Sequence, residues 1–334
     1  MSTVTPGAVY PINAAGFNSP GGVTPYTGTA YSGSFIPALW SGKLAQKFYA
    51  ATVFGEIANT DFQGDISGMG DTVIINTIPT ITINDYQIGQ NLNYEVPAPS
   101  TIQLVINHGK YFGVNVNNVL ELQAKPKLME MFTNDASMQM KTKIDADVLL
   151  GTFNQGAAYN QGANAGQISG SFNLGTDAAP LALTASNILA SITAMSSVLD
   201  EANVPETDRF LVMSPIERQI LMQSNLAQAQ FMGDASSILR NGKIGMIDRF
   251  TVYVSNLLPR AQAGQDWMGA AAAGTAKRHA LMAGHKSAIT FASQIAKVES
   301  LQNPNDFGNL VRGLNVYGYK VVNAPALTTM IVSG

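Results

Sequence analysis

The sequence predicts a mixed α+β fold, and three observations carry that expectation. Residues 72–116 are β-branched and aromatic with period-two alternation. An apolar repeat from Leu128 to Val148 needs a long helix. After Thr184, helical and strand patterns alternate with clear start signals. The 334 residues are enough for one large domain or two ordinary ones.

The elements follow in chain order. Residues 1–34 carry no charged side chain, and Pro6, Pro11, Pro20 and Pro25 break any regular element. They read as an extended arm, disordered or laid over another surface, and Tyr10, Tyr26 and Tyr31 favour the second. Ser34 can cap a helix with Pro37 in its first turn. Trp40, Leu44, Phe48 and Ala51 share one face of it, and it should fade near Asn59. Two strand segments, 72–78 and 80–83, then run out, and 101–107 and 111–116 return. A hairpin this long is marginal alone and needs a surface to lie on.

Pro126 suits the first turn of a helix reaching about Leu150. Leu128, Phe132, Ala136, Met140, Ile144 and Val148 recur every fourth residue. On a 3.6-residue helix that repeat drifts by about 40° per step, so the stripe winds round a rod roughly 36 Å long. Residues 151–180 are rich in Gly, Ala, Asn and Gln, and read as a mobile loop and the best domain boundary in the chain. Beyond it, Thr184 caps a helix bearing Ile188, Ile192, Met195 and Leu199, which Asn203-Val-Pro205 ends. Arg209–Met213 is a short buried strand, and Ser214-Pro-Ile-Glu217 is a capping box with Pro at the first helical position. Phe250–Val254 is a strand, and 259–278 is a Gly/Ala-rich excursion. Further strands are expected at 280–283, 288–292, 314–322 and 327–332.

Composition narrows the function. Charged residues make up 12% of the chain, about half the usual share, while hydrophobic residues at 46% are ordinary. Either the polar surface is simply uncharged, or the chain buries much of it against copies of itself. No cysteine is present, which excludes disulfides and thiolate metal sites. No apolar run approaches the ~20 residues of a spanning helix, and no charged start with an apolar core marks a signal peptide. The net charge of −3 argues against a dedicated nucleic-acid binder.

A search for chemistry finds no active site. There is no Gly-x-Ser-x-Gly elbow and no phosphate-binding Gly-x4-Gly-Lys loop. Gly68-Met-Gly70 precedes a strand instead of following one, and Val73 stands where a third glycine would be. His108, His279 and His285 match no common metal spacing. Asp145 and Asp147 point to different helix faces and read as solvated charges, while Met129, Met131, Met138 and Met140 read as core packing. Lys277-Arg278-His279 is too small a patch for nucleic-acid recognition. No cofactor, no metal and no enzymatic activity are expected.

Charge is unevenly placed. Residues 48–109 contain six carboxylates, Glu56, Asp61, Asp65, Asp71, Asp85 and Glu95, and no Lys or Arg. Residues 209–334 carry twelve cations against six anions. An acidic β-rich segment without internal counter-charge needs a surface outside itself to lie against.

The order of elements resembles the major capsid proteins of tailed bacteriophages, the Hong Kong 97-type shell fold. Several strings are similar to those such proteins carry: Phe35-Ile-Pro-Ala-Leu-Trp-Ser41, Asn59-Thr-Asp-Phe-Gln-Gly-Asp65, Gly70-Asp-Thr-Val-Ile-Ile75, Leu199-Asp-Glu-Ala-Asn-Val-Pro205 with Arg209-Phe-Leu-Val-Met-Ser-Pro215, and Gly245-Met-Ile-Asp-Arg-Phe-Thr-Val-Tyr-Val-Ser-Asn256. The resemblance runs from about residue 35 to the C-terminus. It implies an N-terminal arm at 1–34, a helix at 35–59 and an extended β-hairpin loop at 60–110. It further implies a peripheral domain at 111–180 with a spine helix at 126–150, an α/β axial domain at 181–310, and closing strands of the peripheral domain at 311–334. The implied function is self-assembly through pentamers and hexamers into an icosahedral shell that encloses double-stranded DNA without reading its sequence. Implied partners are copies of the chain, a portal, a decoration protein and a scaffolding protein separate from this chain, with no membrane. The implied location is the virion capsid, assembled in the bacterial host's cytoplasm. Some relatives weld subunits through a Lys in the extended loop; residues 48–109 have none, so no such link is expected. In this fold the loop lies across an adjacent subunit. Its acids Asp71, Asp85 and Glu95 would then meet complementary charge among Lys125, Lys127, Arg240, Lys243, Arg249, Lys277 and Arg278. The rivals are an encapsulin-type compartment shell, a soluble α/β enzyme and a tail-tube or fibre protein.

Overall fold

Alternating side chains in Thr72-Val-Ile-Ile-Asn76 and Thr101-Ile-Gln-Leu-Val105 pair the two segments antiparallel as β1 (Thr72–Asn76) and β2 (Thr101–Val105). Ile75 and Leu104 face inward and Ile74 and Val105 outward, as a strand with one covered face requires. This arrangement comes from a computed structural model that describes residues 50, 52–61, 72–77, 79, 81–92, 94–98, 101–117, 128–224, 245–261, 267, 277–303 and 308–333. The expected arm at 1–34, and the Ser34 start and Trp40 face of the first helix, lie outside the described residues. Within them that helix is only α1 (Phe54–Ile57), because the chain before it is non-helical at Thr52 and Val53. A second correction concerns 80–83. Residues 81–83 form no strand within the subunit and stay exposed.

The return strand is longer than expected and belongs to another sheet. β3 (His108–Asn117) pairs antiparallel with a late strand, β10 (Gly308–Val321), which pairs with β9 (Ile289–Gln302). Where β2 leaves toward β3 it crosses β10 so closely that a Cβ at Gly318 would sit 2.5 Å from the Val105 carbonyl oxygen. The long helix, α2 (Leu128–Thr152), lies against this three-stranded sheet. Its winding stripe is divided in function. Ile144 and Val148 enter the core, while Phe132, Ala136 and Met140 stay partly open.

Residues 151–180 are packed, contrary to the loop expectation. Phe153, Ala165 and Leu174 are buried, and the Asn160 amide donates to the carbonyls of Pro325 and Leu327. The uncharged Asn and Thr side chains here satisfy buried backbone groups, which solvated charges could not do. The next helix, α3 (Ile188–Glu201), starts later than Thr184; that residue opens a turn in which Asn187 Oδ1 accepts its N–H. Ile188, Ile192, Met195 and Leu199 are all buried, as their spacing requires.

The second sheet contains β4 (Arg209–Met213), β5 (Met246–Ile247), β6 (Phe250–Val254), β7 (Arg260–Ala261), β8 (Arg278–His285) and β11 (Leu327–Ser333). Its order is β11-β8-β4-β6-β5, with β7 added beside β8; only β4 and β6 run parallel. The last strand therefore completes this sheet, not the one closed by β10, and β9 belongs with β3. Between β4 and β6 the chain forms α4 (Pro215–Gln223), whose start carries both bonds of the expected capping box. One core runs from Val53 and Ile57 through Leu149 and Phe153 into this sheet, and a small satellite of Ile75, Leu104, Ile106 and Ala292 sits at the hairpin root.

Candidate assembly surfaces

Among the described residues, the hairpin's far end has the most exposed large apolar side chains. Ile83, Ile88 and Val96 are 90%, 98% and 94% exposed, and Ile81, Tyr86, Leu92 and Tyr94 are exposed beside them. A cluster of large apolar side chains this open marks an interaction site. The tip turns at Gly89 (φ 88°), with Gln90 N–H donating to the Gln87 carbonyl at 3.1 Å. Glu95 accepts the Thr82 N–H at 3.0 Å and ties the two limbs together. Asp85 is exposed; Asp71 lies outside the described residues. Reading the hairpin as acidic thus missed its stronger feature. The signal was present in the spacing of Ile81, Ile83, Tyr86, Ile88 and Tyr94.

A second surface is a groove of about 570 Å³ between β3 and the open half of α2. One wall is the run Gly109–Phe112 with Val114; the other presents Phe132 and Met140. Lys110 and Lys143 border it, with Asp135 as the opposing charge.

The root of the hairpin is locked by two aspartates, which corrects their reading as solvated charges. Asp145 is fully buried, and its two carboxylate oxygens accept the Val53 and Phe54 N–H groups at 3.0 Å each. Burial pushes its pKa up to about 6, against the opposing pull of those two bonds. Asp147, one turn face away, accepts the Tyr317 hydroxyl at 2.6 Å and lies 3.4 Å from Lys110 and 3.5 Å from His108. His108 stacks on Tyr319 at 4.8 Å and on Tyr317 at 5.6 Å. Burial and then the Asp147 carboxylate raise the Tyr317 phenol far above its ordinary value.

The basic residues divide. Arg278 is not a surface cation. It is buried, bonded to Asp177 and lies over the Trp267 ring at 5.4 Å. Arg249 is half-exposed and bonded to Asp200 and Glu206. Lys277 is exposed. Lys125, Lys127, Arg240 and Lys243 lie outside the described residues. His279 is buried against Glu217, the capping carboxylate of α4. Burial pushes Glu217 up, and its bonds to His279 and Ser214 bring it below the ordinary value. Among the described residues no group of three or more His, Asp or Glu is placed to hold a metal ion.

Comparison with known proteins agrees with this architecture. Residues 105–329 match the family model described as phage capsid protein. No curated protein matches the chain. Among solved structures, a chain from Mycobacterium phage Che8 is 27% identical, with a TM-score of 0.69, covering 88% of this chain and 96% of that one. The capsid of cyanophage P-SCSP1u is similar at 14% identity and TM-score 0.68, covering 94% and 97%. The capsid of Ralstonia phage GP4 is similar at 12% identity and TM-score 0.61, covering 91% and 97%.

Proposed function

The chain belongs to the phage capsid protein family, and from that premise we propose that it closes an icosahedral shell of pentamers and hexamers by laying its hairpin on neighbouring copies. It is a structural major capsid protein of the Hong Kong 97-like fold. The observation that carries the assembly reading is the far end of the hairpin, where Ile83, Ile88 and Val96 stand almost fully in solvent. Exposed apolar clusters of this kind mark protein interaction sites. Many modest contacts of this kind add through multivalency once the ring closes.

In this reading residues 60–110 are the extended loop. The peripheral domain is α2 with the β3-β10-β9 sheet, and the axial domain is the sheet that begins at β4. Asp71 and Asp85 set the register of the loop against cations of the next copy, with Lys125, Lys127 and Lys277 as complements. Rim charges give specificity more than affinity. The shell encloses DNA without sequence readout, is assembled in the host cytoplasm, and works with a portal, a decoration protein and a separate scaffolding protein.

Electron microscopy of the expressed full chain tests this. Closed particles, or their pentameric and hexameric rings, are expected; a monodisperse monomer at low and high salt would overturn it.

A further inference from the structure

We infer that the cavity at the carboxyl ends of β4 and β6 is a binding site for a phosphate-type oxyanion, free or as an ester on a nucleic-acid backbone. The cavity holds about 270 Å³, room for a diphosphate where one water occupies about 30 Å³. β4 and β6 run parallel, and the crevice beyond the carboxyl ends of parallel strands is where open α/β sheets take ligands. One rim is Ser214-Pro-Ile216, the start of α4; the other is the β7-β8 ribbon, with Arg260, Lys277, Arg278 and His279. In sequence, Lys277-Arg278-His279 is too small a patch to read nucleic acid. Folding adds Arg260 to it and gives the four a shared concave wall.

The register sets which side chains converge. Arg260 pairs with His279 across β7 and β8, and Lys277 stands two residues before His279. Period-two alternation puts all three on one side of the ribbon. That is the side of α4, because His279 meets Glu217 there. No carboxylate lines the cavity among the described residues. Two lie behind it, and both are engaged. Glu217 holds the Ser214 N–H at 2.9 Å as well as His279, and Asp177 holds the buried Arg278. Arg260 and Lys277 are exposed, and among the described residues neither has a carboxylate within ion-pair distance. Arg260 donates to the Asn256 carbonyl at 2.6 Å, which fixes its guanidinium at the rim. The positive end of the α4 dipole adds charge of the same sign. A planar guanidinium beside an ammonium suits the several oxygens of a phosphate.

Isothermal titration of the expressed full chain with pyrophosphate, at an ionic strength held constant with chloride, tests the site. Pyrophosphate should bind wild type. Arg260→Gln with Lys277→Gln should weaken binding at least about tenfold, the effect of one charge-assisted contact. The charge-keeping pair Arg260→Lys with Lys277→Arg should lose less, and Lys320→Gln, an exposed cation elsewhere, should change nothing. No binding to wild type, binding that the double Gln variant leaves unchanged, or an equal loss for Lys320→Gln overturns the inference. Glutarate bound as tightly as pyrophosphate would make the cavity a seat for carboxylates, such as those of a neighbouring copy, and overturns the phosphate assignment. A single-stranded DNA oligonucleotide separates the two sources. If the double Gln variant weakens its binding by the same factor, the phosphate is that of a nucleic acid; if only pyrophosphate is weakened, it is a free ion. The cavity lies within one subunit, so a failed titration leaves the shell reading standing.

Discussion

At the residue scale, Asp145 is the most consequential side chain that local pattern misjudges. Two aspartates two apart on a helix look like surface charge. Nothing local shows that a segment ninety residues earlier brings its N–H groups to one of them. The folded pKa of about 6 exceeds the unfolded value of 3.8. Protonation therefore favours the folded state: this contribution is fully present below pH 3.8 and is lost as pH rises through about 6. The shift corresponds to ~3 kcal/mol at one pKa unit per 1.36 kcal/mol. Urea unfolding of wild type and Asp145→Asn across pH 4 to 7.5 should show their stability difference changing by about that amount, with wild type gaining at the acid end. A pH-independent difference would show that Asp145 does not titrate in this range. Glu217 runs the opposite way, since its lowered pKa gives stability that is lost on acidification, so the comparison with the variant is what isolates Asp145.

At the element scale, the strands and helices with strong local signals formed where their residues required. The capping box at Ser214, the buried face of α3 and the five buried residues of β4 were all readable from spacing and residue type. Three elements were not. Residues 81–83 form no strand among the described residues. Residues 151–180 pack because Asn160 reaches the chain at Pro325 and Leu327, a contact no local pattern contains. The Thr184 cap was displaced because Asn187 closes the preceding turn. The crossing at Gly318 makes a sharp prediction. Gly318→Ala would push a Cβ into backbone atoms of the hairpin root and should cost about 1–3 kcal/mol in chemical unfolding. Gly55→Ala, which meets nothing within 4 Å inside α1, should be neutral or stabilising by up to about 1 kcal/mol.

At the scale of the whole molecule, the proposed assembly has charge steering the approach of copies and apolar surface holding them. Replacing Asp71, Asp85 and Glu95 together by Asn, Asn and Gln should slow assembly at low salt, as followed by light scattering. Each rim charge contributes up to about 1 kcal/mol, and the difference from wild type should shrink as salt screens it. An unchanged rate at every ionic strength would remove these acids from the assembly contact. Because residues 48–109 contain no lysine, boiled denaturing gels of mature particles should show a single band at the mass of one chain; a ladder would contradict this. The sequence by itself determined the α+β class, the long helix, the capping box, the acidic hairpin and the membership that these strings resemble. Each of those is encoded by neighbours within a few residues, where spacing, turn chemistry and alternation act. Tertiary structure alone decided that Asp145 and Asp147 are anchors, that Arg278 faces inward, that the last strand joins the second sheet, and that the hairpin's apolar side chains stand uncovered. Those outcomes depend on which distant groups meet, and burial, unlike periodicity, is a property of the folded chain as a whole.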